Sequence, residues 1–192
     1  MRLRLRRSRR ASGMRELTED LAAAVRARPG RPADAEELCR ALCEEMSARR
    51  GGRPVELRFE RFPDEIEVTG LWVGFQDFDL VIVEERAEAM QQLVILGHEL
   101  WHLHAGHSHH HVAGAALADR REWADRREWT DGREWADGAL SVAARDGSRA
   151  DDEAEADDFG HRLAARLRPL LTGRDTGAAL DPLRRSLGYR GR

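Results

Sequence analysis

The pentapeptide at residues 98–102, His-Glu-Leu-Trp-His, constrains the fold of this chain more than any other part of its sequence. Side chains four residues apart lie on one face of an α-helix, so an H-E-x-x-H pattern directs both imidazoles towards one point. Four leucines give the same helix an apolar side that can be buried: Leu93, Leu96, Leu100 and Leu103. We therefore predict a helix over residues 87–104 that packs on a core.

The same pentapeptide indicates a specific chemistry. Two histidines in this register are typical ligands of Zn²⁺, and the ion lowers the pKa of a bound water to ~7. Glu99 lies one position round the helix, where it can take a proton from that water without being a ligand. A surface helix can carry these letters by chance, but it would not need the apolar side. We predict a zinc centre that hydrolyses amide bonds, with His98 and His102 as ligands and Glu99 as general base.

A catalytic zinc ion takes a third protein ligand and keeps one position open. The extended pattern H-E-x-x-H-x-x-G-x-x-H cannot supply it, because Ala105 and Ser108 stand where Gly and His are required. The other source is the acidic stretch 151–158, on a helix predicted to begin near Ser148. Apolar residues follow at helical spacing: Ala156, Phe159, Leu163, Leu167 and Leu170.

Two glutamates in the acidic stretch compete for the metal. Glu153 and Glu155 lie roughly 80° to either side of the apolar stripe, so periodicity alone does not choose between them. Glu153 is favoured because Asp157, one turn later on its face, can accept the second N–H of a ligating histidine. Glu155 has Phe159 in the corresponding place, and a phenyl side chain cannot accept that hydrogen bond. The alternative is that both glutamates are solvated surface acids.

Together these two motifs resemble the ImmA/IrrE family of zinc metallopeptidases. The resemblance rests on residues 93–103, LVILGHELWHL, and on residues 153–160, which are similar to the family's E-x-x-A-[ND]-x-F-A segment. It covers roughly residues 14–170. The chain departs from the family at Trp101, where Gly is usual, and at Gly160, where Ala is usual. It also lacks the family's Leu-Leu-Met-Pro ending and has a longer gap between the two motifs.

The resemblance carries expectations about ligands and partners. It implies zinc bound by His98, His102 and Glu153, with Glu99 as the base. It also implies that the substrate is a specific bacterial regulator, a helix-turn-helix repressor or an antitoxin. Some members are described as toxin components of toxin–antitoxin pairs. The alternative function is therefore a non-catalytic toxin component or regulatory protein that retains the zinc fold and acts by binding a partner.

The remaining sequence predicts an α+β, zincin-like domain over residues 14–170. Helices are predicted at 17–26 and 35–49, a strand at 54–62, and a hairpin over 71–83 that turns near Gln76 and Asp77. These strands are expected to form a small, mostly antiparallel sheet that packs against the zinc helix.

Three segments are predicted to lie outside that packed unit. Residues 1–13 are expected to be an unordered arginine-rich arm, and residues 171–192 a flexible tail. Residues 105–147 are expected to be a loop insertion. It carries four of the five histidines found in residues 104–111, and three tandem hexapeptides of the type Asp-Arg-Arg-Glu-Trp-Ala within 119–138. The histidines could buffer zinc, but a solvated loop is the simpler interpretation.

Composition limits the partners and the compartment. The net charge is −3, so no nucleic-acid partner is predicted, although six arginines among the first ten residues would suit one. No stretch reaches the ~18 apolar residues of a membrane span, and no apolar segment follows the arginines as in a secretory signal. Cys39 and Cys43 are expected to be buried thiols on a helix face. A cytoplasmic location is therefore expected.

Overall fold

The computed structural model describes residues 2–62, 64, 68–107 and 148–172. In this part of the chain the fold is α+β, with four helices and one three-stranded sheet. The elements in chain order are α1 (Arg2–Ala27), α2 (Ala35–Arg49), β1 (Val55–Glu60), β2 (Gly70–Gly74), β3 (Asp79–Glu84), α3 (Ala89–Ala105) and α4 (Ser148–Thr172). None of the described helices has a stretch long and apolar enough to cross a bilayer.

The sheet is mixed, with strand order β1-β3-β2. Strands β2 and β3 form the predicted antiparallel hairpin, closed where the Phe75 N–H donates to the Phe78 carbonyl at 2.9 Å. Strand β1 pairs in parallel with β3, from Val55 opposite Asp79 onward. The prediction of a mostly antiparallel sheet is therefore wrong. The connection after β1 carries the chain past β3 to the far edge, so β2 returns antiparallel and β3 then runs alongside β1.

The helix ends follow local signals in the sequence. The Asp34 side chain caps α2 by accepting a hydrogen bond from the Glu37 N–H at 2.9 Å. Helix α3 ends at Gly106, whose φ of 70° lies in the left-handed region that glycine adopts without strain. The predicted bounds of α2 are confirmed, and α3 agrees with its prediction to within two residues.

One apolar core joins the four helices to one face of the sheet. Cys39 and Cys43 lie within it on α2, as predicted, and both are free thiols. Burial raises the pKa of Cys39 to about 12, so this thiol stays protonated and unreactive near neutral pH. A second apolar cluster lies on strands β2 and β3 and their turn: Val73, Phe75, Phe78, Leu80 and Ile82.

The amino-terminal segment differs from its prediction. Helix α1 begins at Arg2, so residues 2–13 continue the helix that was expected to start near Leu17. Arginine, leucine and alanine, which dominate this segment, are all good helix formers. Arg10 also hydrogen-bonds to Asp152 and Glu155 on α4. The prediction of an unordered arm over 1–13 is therefore wrong for residues 2–13.

Two other predicted segments fall largely outside the described residues. Residues 108–147 of the insertion, with the tandem hexapeptides, are not described, nor are residues 173–192 of the tail. Helix α4 runs through Pro169 to Thr172, slightly beyond the predicted domain end.

Candidate metal centre

Helix α3 places two histidines and a glutamate beside α4. Its four leucines at 93, 96, 100 and 103 are almost fully buried, as the amphipathic pattern predicted. His102 has no exposed surface, and His98 lies at the rim of the same site. Their rings are 4.7 Å apart, with Nε2 of His98 and Nε2 of His102 separated by 3.0 Å. The predicted convergence of the two imidazoles is confirmed.

Helix α4 brings Glu153 to the same point. Its Oε2 lies 3.3 Å from Nε2 of His98 and 3.6 Å from Nε2 of His102. Among the described residues, His98, His102 and Glu153 are the group that could hold a metal ion. Two imidazole nitrogens and a carboxylate oxygen are a donor set typical of catalytic zinc.

The size of this triangle fits a small tetrahedral ion. Ligands at about 2.0–2.1 Å from a tetrahedral zinc ion are about 3.3–3.4 Å from one another. The three observed separations of 3.0, 3.3 and 3.6 Å bracket that value. The three residues therefore fit zinc in donor type and in spacing, and they leave one tetrahedral position for water or substrate.

The two glutamates of α4, Glu153 and Glu155, have different contacts. Glu155 hydrogen-bonds to Arg10, with Oε2 3.1 Å from the guanidinium, and it does not join the metal-binding group. Glu153 was favoured because Asp157 could support a ligating histidine. Asp157 does so, since its Oδ1 lies 2.8 Å from Nδ1 of His98. That contact orients His98 with Nε2 towards the triangle.

The Nδ1 of His102 also has a partner, which sequence reasoning missed. It lies 3.0 Å from Nδ1 of His107, whose ring is buried against it. His107 appeared in the sequence only as one histidine of a predicted solvated loop. The signal that could have found it is Gly106, a helix-ending residue that turns the chain back towards the last turn of α3.

The charges in the site are strongly coupled. Burial opposes protonation of His98, but Glu153, Glu99 and Asp157 outweigh it together and raise the pKa of this imidazole to about 9. Hydrogen bonds to His102 and His98 hold the pKa of Glu153 well below its usual value. The site therefore binds positive charge firmly, a proton in the absence of a metal.

Glu99 differs from Glu153 in its surroundings. It is 3% exposed, and burial raises the pKa of its carboxyl group. The backbone of Trp72 on β2 donates to this carboxylate, while Oε2 has no hydrogen-bond partner among the described residues. Gly70 makes room for the side chain, because a Cβ there would lie 2.8 Å from Glu99 Oε1. Glu99 thus interacts electrostatically with the two histidines but is not part of the group that could hold a metal ion.

Two glycines set the separation of α3 and α4 next to His98. A Cβ on Gly160 would lie 2.4 Å from the Val94 carbonyl, and a Cβ on Gly97 would lie 2.8 Å from the Gly160 Cα. The helices therefore approach backbone to backbone at this crossing. This packing accounts for Gly160, one of the positions at which the sequence departs from the motif it resembles.

Trp101, the other departure, is buried in the interface of α3 and α4. Its ring stacks on Phe159 with centroids 5.2 Å apart, and it also contacts His104. The indole therefore adds to the packing of the two helices that carry the candidate ligands.

Comparisons with protein-family models, curated proteins and solved structures gave no match to this chain. The assignment of the site therefore rests on its own residues and geometry.

Proposed function

We propose that this protein is a zinc-dependent peptidase with a zincin-like arrangement of sheet, zinc helix and second ligand helix. The observation that carries the proposal is the triangle of His98, His102 and Glu153, together with the buried Glu99 beside it. A purely structural zinc site takes four protein ligands, whereas three ligands and a neighbouring base are typical of hydrolytic sites.

The side chains divide the chemistry among them. His98, His102 and Glu153 would hold the ion, which supplies Lewis acidity and a water of lowered pKa when bound. Glu99 takes a proton from the attacking water and delivers it to the amine nitrogen as the peptide bond breaks. Its raised pKa suits both transfers, because a base titrating nearer to neutrality takes up and releases protons more readily at physiological pH.

Strand β2 offers a place for an extended substrate. Its pairing with β3 alternates, so the backbone groups of Gly70 and Gly74 point to the outer edge, with which no described strand pairs. The Trp72 backbone reaches Glu99 along this edge. A peptide added as a further strand would therefore lie beside the base.

The class of substrate comes from the resemblance of the two motifs to the ImmA/IrrE family. On that ground we propose a bacterial regulator, a helix-turn-helix repressor or an antitoxin, as the protein cleaved. A regulator encoded next to this gene is the first candidate to test.

The test combines metal content with cleavage. We expect about one zinc ion per chain in the wild type by mass spectrometry, and cleavage of the candidate regulator. Glu153→Gln should lose the zinc and the cleavage. Glu155→Gln is the matched control, two residues away on α4 and paired with Arg10, and it should retain both.

The outcomes separate the peptidase from its alternative. Zinc retained in Glu99→Gln with cleavage abolished supports the peptidase. A zinc-loaded wild type that cleaves no candidate, but binds one with the same affinity as Glu99→Gln does, would favour a non-catalytic partner-binding protein. A wild type without zinc would contradict the metal centre.

A further inference from the structure

The chain reverses direction directly after the last turn of α3. Gly106 adopts the left-handed conformation, and the His107 N–H then donates to the carbonyl of His102 at 3.1 Å. This turn places His107 against His102, five residues earlier in the chain. The imidazole of His107 is 7% exposed, so it is held in a protein environment and not in the solvent.

The two nitrogens of His102 face different partners. Nε2 faces Nε2 of His98 and the Glu153 carboxylate, whereas Nδ1 lies 3.0 Å from Nδ1 of His107. The two nitrogens of His98 also face different partners, because its Nδ1 contacts Asp157 Oδ1. Each histidine of the triangle therefore has a partner behind it.

The positions of the protons follow from this arrangement. An imidazole that binds a metal through Nε2 carries its proton on Nδ1. His102 must then donate to His107, which accepts at Nδ1 and keeps its own proton on Nε2. That nitrogen lies 3.4 Å from Asp152 Oδ1, an ion-pair distance, and Arg10 of α1 lies 3.3 Å from the same oxygen.

We propose that His107 is a positioning residue that holds His102 in the ring orientation and tautomer that present Nε2 to the metal. The inference rests on the proposed metal centre. The two supporting partners differ in character, because Asp157 is a carboxyl group that is 67% exposed, whereas His107 is a buried imidazole. Behind a fully buried ligand, a neutral acceptor avoids the desolvation of a second carboxylate.

The test measures the zinc affinity of the full chain by competition with a chelator. His107→Leu removes the acceptor and keeps the bulk, and we expect about 10–100-fold weaker zinc binding, the range typical for the loss of such a partner. His107→Asn restores the affinity, because an asparagine carbonyl oxygen can occupy nearly the position of Nδ1. Circular dichroism of each metal-free variant checks that it is folded. Wild-type affinity in His107→Leu would overturn the inference.

Two spectroscopic readouts keep the inference testable if His107→Leu does not fold. In the cobalt-substituted protein, the visible spectrum reports ligand geometry, and we expect it to change in His107→Asn less than in His107→Ala. In the zinc-loaded wild type, nitrogen NMR shifts should show His107 as the Nε2–H tautomer. The opposite tautomer would overturn the proposal. A wild type that binds no zinc would instead contradict the metal centre, and the role of His107 with it.

Discussion

Asp79 and Glu99 are both carboxylates in the interior of the protein, 1% and 3% exposed, but their surroundings are opposite. Asp79 accepts from Arg50 at 3.1 Å and Arg53 at 2.6 Å through Oδ2, and from the Trp72 indole at 3.1 Å through Oδ1. Among the described residues, no arginine forms an ion pair with Glu99, and its Oε2 has no hydrogen-bond partner. One carboxylate is saturated with donors and the other is not.

The comparison distinguishes a buried carboxylate that fixes the fold from one that we propose takes part in chemistry. Arg53 also donates to the carbonyls of Phe75 and Phe78, so the Asp79 network fastens the turn of the β2–β3 hairpin. Trp72 connects the two sites, since its indole binds Asp79 and its backbone donates to Glu99. The saturated site thus holds the strand against which the unsaturated carboxylate is placed.

The largest expected difference between the two carboxylates is in catalysis. Glu99→Gln should lower kcat for the regulator substrate by about 10²–10⁴-fold, the usual contribution of a general acid–base group. Zinc content and the urea midpoint should be unchanged or slightly higher, because a buried group with a raised pKa is replaced by a neutral isostere. Activity assays and urea unfolding on the same preparations check this. A strongly destabilised Glu99→Gln would remove the contrast with Asp79.

The reverse pattern is expected at Asp79. Asp79→Asn leaves two arginines facing a neutral side chain, and breaking a buried ion pair in this way costs about 3–5 kcal/mol. The free energy of unfolding in urea should fall by that amount, while zinc bound per folded chain stays at one. Arg40→Ala is a suitable control, because the Arg40–Glu36 pair on α2 is exposed and should contribute little.

The charged groups around Glu99 predict a pH dependence of stability. The pKa of His98 is raised from 6.5 to about 9, so protonated His98 stabilises the metal-free fold. This stabilisation is fully present below pH 6.5 and is lost as the pH rises through 9. The pKa of Glu153 is lowered from 4.5, so ionised Glu153 stabilises the metal-free fold above pH 4.5. This stabilisation is lost as the pH falls below 4.5. The pair therefore stabilises the metal-free protein most between pH 4.5 and 6.5.

Unfolding of the chelator-treated protein measures this dependence. Stability should decline between pH 6.5 and 9 by on the order of 2–3 kcal/mol, since one pKa unit corresponds to about 1.4 kcal/mol. The decline should be smaller in Glu153→Gln, which removes a partner of His98. Apparent zinc affinity should rise over the same interval, because the ion displaces the His98 proton. A metal-free protein whose stability is flat from pH 6 to 9 would contradict the coupling.

The smallest expected effect concerns the distance between the helices that carry the candidate ligands. Gly160→Ala introduces a Cβ against the Val94 carbonyl, and overpacking of this kind costs about 1–3 kcal/mol. Zinc binding should weaken because α4 and Glu153 must move away from α3. Gly13→Ala on α1 is the control, since a Cβ there meets nothing within 4 Å and alanine favours the helix by about 0.5–1 kcal/mol. Equal effects of the two substitutions on zinc affinity would exclude this role for Gly160.

Much of the site could be predicted because its residues lie within single helices. The spacing of His98 and His102 fixes their common face without tertiary information. Asp157 identified Glu153 in preference to Glu155, because both lie on one face of α4 and Asp157 can support a ligating histidine. The hairpin was equally local, with strands on either side of Gln76 and Asp77.

The features that the sequence did not predict depend on how separate segments meet. The parallel pairing of β1 with β3 follows from the strand order β1-β3-β2, which no alternation pattern encodes. His107 contacts His102 only because Gly106 reverses the chain, and a histidine-rich stretch looks like a solvated loop. Helix α1 extends to Arg2 although it begins with arginines, and Arg10 pairs with acids of α4 that lie 142 and 145 residues further along the chain.

The close approach of His107 to Asp152, at 3.4 Å, connects the turn after α3 to the first turns of α4. The contact therefore lies at both boundaries of residues 108–147, which contain the tandem hexapeptides. Copies of the hexapeptide could be added or deleted while this contact and the packing of α3 against α4 keep His102 and Glu153 in register.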